Sequence, residues 1–152
     1  MWRADPSRRQ RTGRGFTLIE LVVVMLLAAL LATLAYPSFR AQWLKARRGD
    51  GRVALMQLQQ AQERWRAEHP AYASASDLGA PAQSAHGHYR LGVLSASTTG
   101  YELQAVAHGP QRADERCMVL RVRQAQGETT FLSGPTELTD NPDPTNRGCW
   151  NR

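Results

Sequence analysis

Glu20 is the side chain whose surroundings most need a chemical explanation. It is the single charge in the run Phe16 to Tyr36. A carboxylate inside an apolar helix of membrane length costs about 2.5–3.5 kcal/mol on insertion scales, so it is expected to have a cationic partner. The simpler reading is a glutamate near a helix start that favours the helix dipole. Cys117 and Cys149 are the two thiols. An even pair in a small exported domain suggests a disulfide; two reduced structural cysteines are the alternative. Arg112, Arg116, Arg121 and Arg123 form a candidate phosphate-contacting patch. Against that, Glu102 and Glu128 lie close in the pattern and would make the same arginines an ordinary solvated sheet face. His86-x-His88 approaches a metal-binding spacing but has no third ligand in reach. Asp140 and Asp143 sit among prolines without a calcium-loop ligand series. No nucleotide-binding glycine loop is present. No catalytic constellation stands out, so the chain does not read as an enzyme, and no metal or cofactor is expected.

These residues need elements to hold them, and the largest is the apolar run. Its 21 residues would make a helix about 31 Å long, enough to cross a bilayer core of about 30 Å. Of the 152 residues, that leaves room for one modest domain. So small a domain buries a limited share of its surface and gains from a covalent staple. The net charge of +6 is misleading. Met1–Gly15 holds five arginines and one aspartate, a charge of +4, and the rest carries only +2. The high pI is therefore weak evidence for nucleic-acid binding.

An arginine-rich leader before an apolar run is like a secretory signal. Yet no clean Ala-x-Ala site is followed by a polar start, and the run continues into Tyr36-Pro37-Ser38-Phe39. The run therefore reads as retained. Its leading arginines stay cytoplasmic by the positive-inside rule, which sends the C-terminal domain outward.

The segment Arg14-Gly15-Phe16-Thr17-Leu18-Ile19-Glu20 resembles the signal of type IV prepilins and pseudopilins. The resemblance implies a cut between Gly15 and Phe16 by prepilin peptidase and methylation of the new Phe16 amine. It also implies that Glu20 of one subunit neutralises the N-terminus of its neighbour as pilins join a filament. The domains expected are a leader at 1–15, a transmembrane and assembly helix at 16–36, the amphipathic second half of that helix at 37–69, and a globular pilin domain at 70–152. The fold class is α+β, the type IV pilin fold, with a long N-terminal helix on an antiparallel sheet of about four strands.

Pro37 should kink the helix. Arg40, Lys45, Arg47, Arg48 and Arg52 follow it and suit lipid headgroups, acidic groups on neighbouring subunits, or plain solvent. Gly49-Asp50-Gly51 predicts a bend or a continued helix. From Val53, a face of Ala54, Leu58, Ala61 and Trp65, flanked by Leu55 and Gln62, should pack on the sheet, and His69-Pro70 should end the helix. Ala71–Gly87 reads as a loop. Tyr89-Leu91-Val93, Tyr101-Leu103-Ala105, Met118-Leu120-Val122 and Glu128–Leu132 read as four strands of a meander. The tail, Gly134–Arg152, reads as a loop rich in proline. Closing the chain between Cys117 and Cys149 would stabilise the domain by about 3–4 kcal/mol on chain-entropy grounds and clamp that tail to the third strand.

This clamp resembles the disulfide-bounded region of type IV pilins, and Cys149-Trp150 resembles the ending of PilE-like minor pilins. The implied function is a structural subunit, a minor pilin of a type IV pilus, serving adhesion, twitching motility or DNA uptake. Two other readings remain: a pseudopilin of a type II secretion system, and a pilus-borne DNA receptor. The implied partners are prepilin peptidase, other pilins and the inner membrane, with DNA as a further candidate. The implied location is the inner membrane, single-pass with the C-terminal domain periplasmic, and then the pilus on the cell surface.

Overall fold

The computed structural model describes residues 15–151. All of the expected leader except Gly15 lies outside them. Helix α1 runs from Leu18 to Arg66. Thr17 starts it: its Oγ1 accepts a hydrogen bond from the Glu20 N–H at 3.3 Å, satisfying one of the donors a helix start leaves open. Glu20 thus stands in the first turn, where the helix dipole favours an acid.

No single helix among the described residues is long and apolar enough to cross a membrane. Leu18–Thr33 meets the test only together with the segment Ala35–Arg66 beyond a break. The break has a local cause. The Thr33 carbonyl would be paired four residues on, where Pro37 has no N–H to give. The Thr33 hydroxyl donates back to the Leu30 carbonyl at 2.7 Å, a bond that bends helices.

The chain divides into two compact units after Ser38. The first carries apolar side chains that are exposed along the helix, Leu18, Ile19, Leu26 and Leu31 among them. The second begins at Phe39. In it follow α2 (Ala75–Leu78), β1 (Tyr89–Ala96), β2 (Gly100–Ala107), two 3-10 turns (Gly109–Ala113 and Glu115–Cys117), β3 (Val119–Ala125), β4 (Glu128–Gly134) and α3 (Asp143–Trp150). The strands form one antiparallel sheet in the order β1-β2-β3-β4. Leu103 pairs with Val122, and Val122 with Phe131. Alternation along β2 puts Tyr101, Leu103 and Ala105 on the core side with Leu120 and Val122 of β3.

The helix face that meets this core is not quite the expected one. Ala54, Leu55, Leu58 and Gln62 are buried, whereas Val53 is exposed and Trp65 only half-buried, its ring stacked on His69 at 3.8 Å. Gly51 belongs to the same face and is also buried. A Cβ there would stand 2.8 Å from the Tyr89 ring, so the helix can approach β1 only with glycine at that position. The helix continues through Gly49-Asp50-Gly51, and of the two glycines only Gly51 is demanded by this contact.

Two stretches expected as loop contain helices. In Ala71–Gly87, Ser74 and Asp77 form a reciprocal capping box that starts α2, and Gly79 ends it with φ 58. In the tail, Pro142 is the N-cap of α3 and Pro144 sits in its first turn. Proline is well placed there because those N–H groups have no partner within the helix. Asn151, with φ 60, closes α3 in the left-handed region.

Candidate functional site

The basic stretch of α1 splits into two groups. Arg48 and Arg52 turn into the domain. Arg48 grips Asp114 with two parallel bonds, Nε to Oδ2 at 2.5 Å and Nη2 to Oδ1 at 2.8 Å. Its Nη1 donates to the Gly148 carbonyl at 3.2 Å, and Arg52 Nη1 donates to the Trp150 carbonyl at 3.0 Å. Both carbonyls lie at the C-terminal end of α3, where cations are favoured. Arg40 and Lys45 are exposed, and Arg47 lies 5.1 Å above the Trp43 ring.

Asp114 belongs to a buried polar cluster between the 3-10 turns and α1. Gln111 Nε2 lies within 3.1–3.2 Å of the Leu44 carbonyl, the Tyr89 hydroxyl and Asp114 Oδ2. Burial pushes the Tyr89 phenol up to about 12, with the Gln111 hydrogen bond pulling the other way. The disulfide Cys117–Cys149 joins the second 3-10 turn to α3. Trp150 then reaches β4, donating from Nε1 to the Leu132 carbonyl at 3.0 Å and meeting Phe131 edge-on at 4.9 Å. Asn146 donates to the Phe131 carbonyl and accepts from Ser133 Oγ. So α3 covers the free edge of the sheet, an edge that would otherwise invite pairing with another chain.

On the opposite flank, Asp50 holds the chain before β1. Its carboxylate accepts from Ser84 Oγ at 2.5 Å, from the His86 and His88 backbone N–H groups, and faces the His86 ring at 3.1 Å. Burial works to raise its pKa, but the bonds from Ser84, His86 and His88 outweigh it and hold the carboxyl below the usual value. Lower on the helix, the Gln62 amide pairs with both backbone groups of Ala73 at 2.8 Å, like one rung of a sheet. His86 is therefore engaged with Asp50. Among the described residues no group of three or more metal-ligating side chains comes together. Asp143 stands in the first turn of α3, 3.7 Å from Arg147.

The four arginines of the candidate patch are not equivalent. Arg121 lies opposite Gln104 in the sheet register, with its side chain 12% exposed. It pairs with Glu102 at 3.2 Å and donates to the Glu137 carbonyl at 2.7 Å. Arg123 pairs with the same carboxylate at 3.1 Å. Glu102, rather than Glu128, thus engages both arginines but offsets only one of their two charges, and the Arg123 side chain stays 51% exposed. Arg112 and Arg116 are exposed on the two 3-10 turns, beside the disulfide. Sequence reasoning missed Gln111 and Asp114 altogether, and it placed Gln62 beside the packing face and Asp50 between two glycines without foreseeing the partners of either.

Gly15 and Phe16 precede α1, and Phe16 is 84% exposed. Residues 10–36 match the prokaryotic N-terminal methylation motif. Residues 37–121 match the family described as type IV minor pilin ComP, DNA uptake sequence receptor. A relative, the type IV major pilin protein PilA of Myxococcus xanthus (strain DK1622), is 27% identical over 147 residues. That alignment takes in 95% of this chain and 66% of the relative, so the chain spans just under two thirds of that protein's length. The methylation motif ends where the minor-pilin match begins, and the exposed apolar helix, the four-stranded meander and the disulfide-clamped end are all present. The chain belongs to the ComP family of type IV minor pilins.

Proposed function

We propose that prepilin peptidase cuts this chain between Gly15 and Phe16, that the Phe16 amine is methylated, and that the product assembles into a type IV pilus through its N-terminal helix. The observation that carries this reading is the first stretch of α1, up to Tyr36, where apolar side chains are exposed and the single charge, Glu20, stands in the first turn. Such a surface is left bare for lipid or for other helices. The Phe16 ammonium of a neighbouring subunit is the partner that offsets the Glu20 charge once the helix leaves the membrane boundary and packs among other helices. Before assembly the helix spans the inner membrane once and the second unit lies in the periplasm. A pseudopilin of a secretion system would share the same N-terminus, but the family match favours the pilus.

Intact mass of the membrane fraction, with and without prepilin peptidase, tests this. Loss of Met1–Gly15 with one added methyl group supports it. An unprocessed chain, or a cut near Ala35, overturns it. A Glu20→Ala chain should still be processed yet fail to enter filaments; normal incorporation would rule out the assembly role.

A second reading, DNA binding on the pilus, is supported by the family description and by Arg112 and Arg116. With Arg121 and Arg123 held by Glu102, the phosphate contacts fall to Arg112 and Arg116. Duplex affinity should decline as salt rises, and the double variant Arg112→Ala/Arg116→Ala should flatten that slope by about two phosphate contacts. A slope unchanged by the double variant would remove these residues from the interface.

A further inference from the structure

We infer that the collar of α1 formed by the exposed Phe39, Arg40 and Trp43 with the half-buried Arg47 docks into the headgroup layer of an anionic phospholipid membrane before the subunit enters a filament. The inference rests on the proposed membrane anchor and adds its depth and its lipid partner. Phe39, Trp43 and Arg47 recur every four residues and Arg40 lies beside them, so all four share one side of the helix. Phe39 is 65% and Trp43 63% exposed. Both line an open groove of about 800 Å³ together with Arg47, Val53, Ala85 and His86.

Length along the helix sets the depth. If Glu20 stays at the cytoplasmic boundary, where it avoids the apolar core, the core begins at Leu21. About 20 residues cross it, which brings the chain to Arg40. Phe39 then lies at the edge of the hydrocarbon. Trp43 and Arg47 fall in the next turn or two, the level where aromatic rings and long cationic side chains collect.

Charge selects the lipid. From Pro37 to Gly49 the chain holds Arg40, Lys45, Arg47 and Arg48 and no acid. Arg48 is taken by Asp114, and the one acid of the groove, Asp50, has a side chain only 6% exposed and bound by Ser84 and His88. Arg40, Lys45 and Arg47 remain to face anionic headgroups. A second copy at the same depth would present the same cations, and like charges repel.

The test uses the full chain after peptidase cleavage, in phosphatidylcholine nanodiscs carrying a minor fraction of phosphatidylglycerol or phosphatidylcholine brominated near the headgroup. Subtracting the signal of a Trp43→Phe chain isolates the Trp43 emission. Brominated phosphatidylglycerol is expected to quench it more than brominated phosphatidylcholine. Arg40→Gln and Arg47→Gln should each reduce that preference about fivefold. Equal quenching by the two lipids overturns the anionic partner. A Trp43 untouched by either lipid and open to aqueous iodide overturns the docking while the anchor stands. So does a Trp43 shielded only when two chains share a disc, which would assign the collar to a second copy. A chain that alkaline carbonate strips from the membrane overturns the anchor as well, and is told apart by that extraction.

Discussion

The two flanks of the sheet are fastened to α1 by different means. At the β4 side, the disulfide Cys117–Cys149, the Arg48–Asp114 pair and the carbonyls of α3 converge. At the β1 side, Asp50 holds Ser84, His86 and His88, and Gln62 holds Ala73, without a covalent bond. The β4 flank is built from segments that have little apolar surface of their own. Its tail contributes two buried side chains of α3, Cys149 and Trp150. Where burial is scarce, covalent closure and a desolvated ion pair keep the segment in place. At β1, Tyr89, Leu55 and Leu58 already supply a core, and hydrogen bonds need only set the register.

The comparison breaks most decisively at the cysteines. Cys117→Ser/Cys149→Ser should lower stability by about 3–4 kcal/mol in chemical denaturation and release α3 from β4. Trp150 fluorescence would report the release. Next comes Asp114→Asn, which leaves the largely buried Arg48 guanidinium without its counter-charge. Its loss should be about 2–3 kcal/mol, below the value for a fully buried pair because Arg48 retains some exposure. If that variant were as stable as the native chain, the ion pair would not be what fastens this flank.

On the β1 flank, Gln62→Ala would strand both backbone groups of Ala73, for about 2 kcal/mol. Hydrogen exchange should then rise around Ala73 while α3 stays protected. The smallest effect belongs to Asp50. Its pKa is lowered in the folded chain, so its contribution is present above the unfolded value of 3.8 and is lost as pH falls through the folded one. Thermal melts should lose stability below about pH 4. An Asp50→Asn chain should lose less over the same interval, and identical pH profiles would exclude Asp50 as the source. At the alkaline end, burial pushes the Tyr101 and Tyr89 phenols up to about 12, so melts should fall between their ordinary value of 10.0 and that point.

Local signals carried far in this chain. Helix α1, the four strands and their meander follow from the apolar period, and β4 extends two residues beyond expectation. Helix α3 was legible in principle: Pro142, Pro144, Asp143 in the first turn and Asn151 at the end are ordinary helix punctuation. The same prolines, read as breakers, concealed it. Trp65 misled in the other direction, since it satisfies the helical stripe yet ends beside His69.

What the sequence by itself determined is whatever depends on neighbours in the chain: the prepilin-like segment around Gly15 and Phe16, the apolar length that follows, and the alternation that makes a sheet. Tertiary structure alone decided which charges remain free. Arg48 is paired with an acid 66 residues away, and Arg123 with one 21 residues away. Nothing local marks those partners, because a salt bridge forms wherever folding brings two groups together and excludes water between them. Among the described residues, exposed cations such as Arg112, Arg116 and Arg40 could be told from paired ones such as Arg48 only once those contacts were in place.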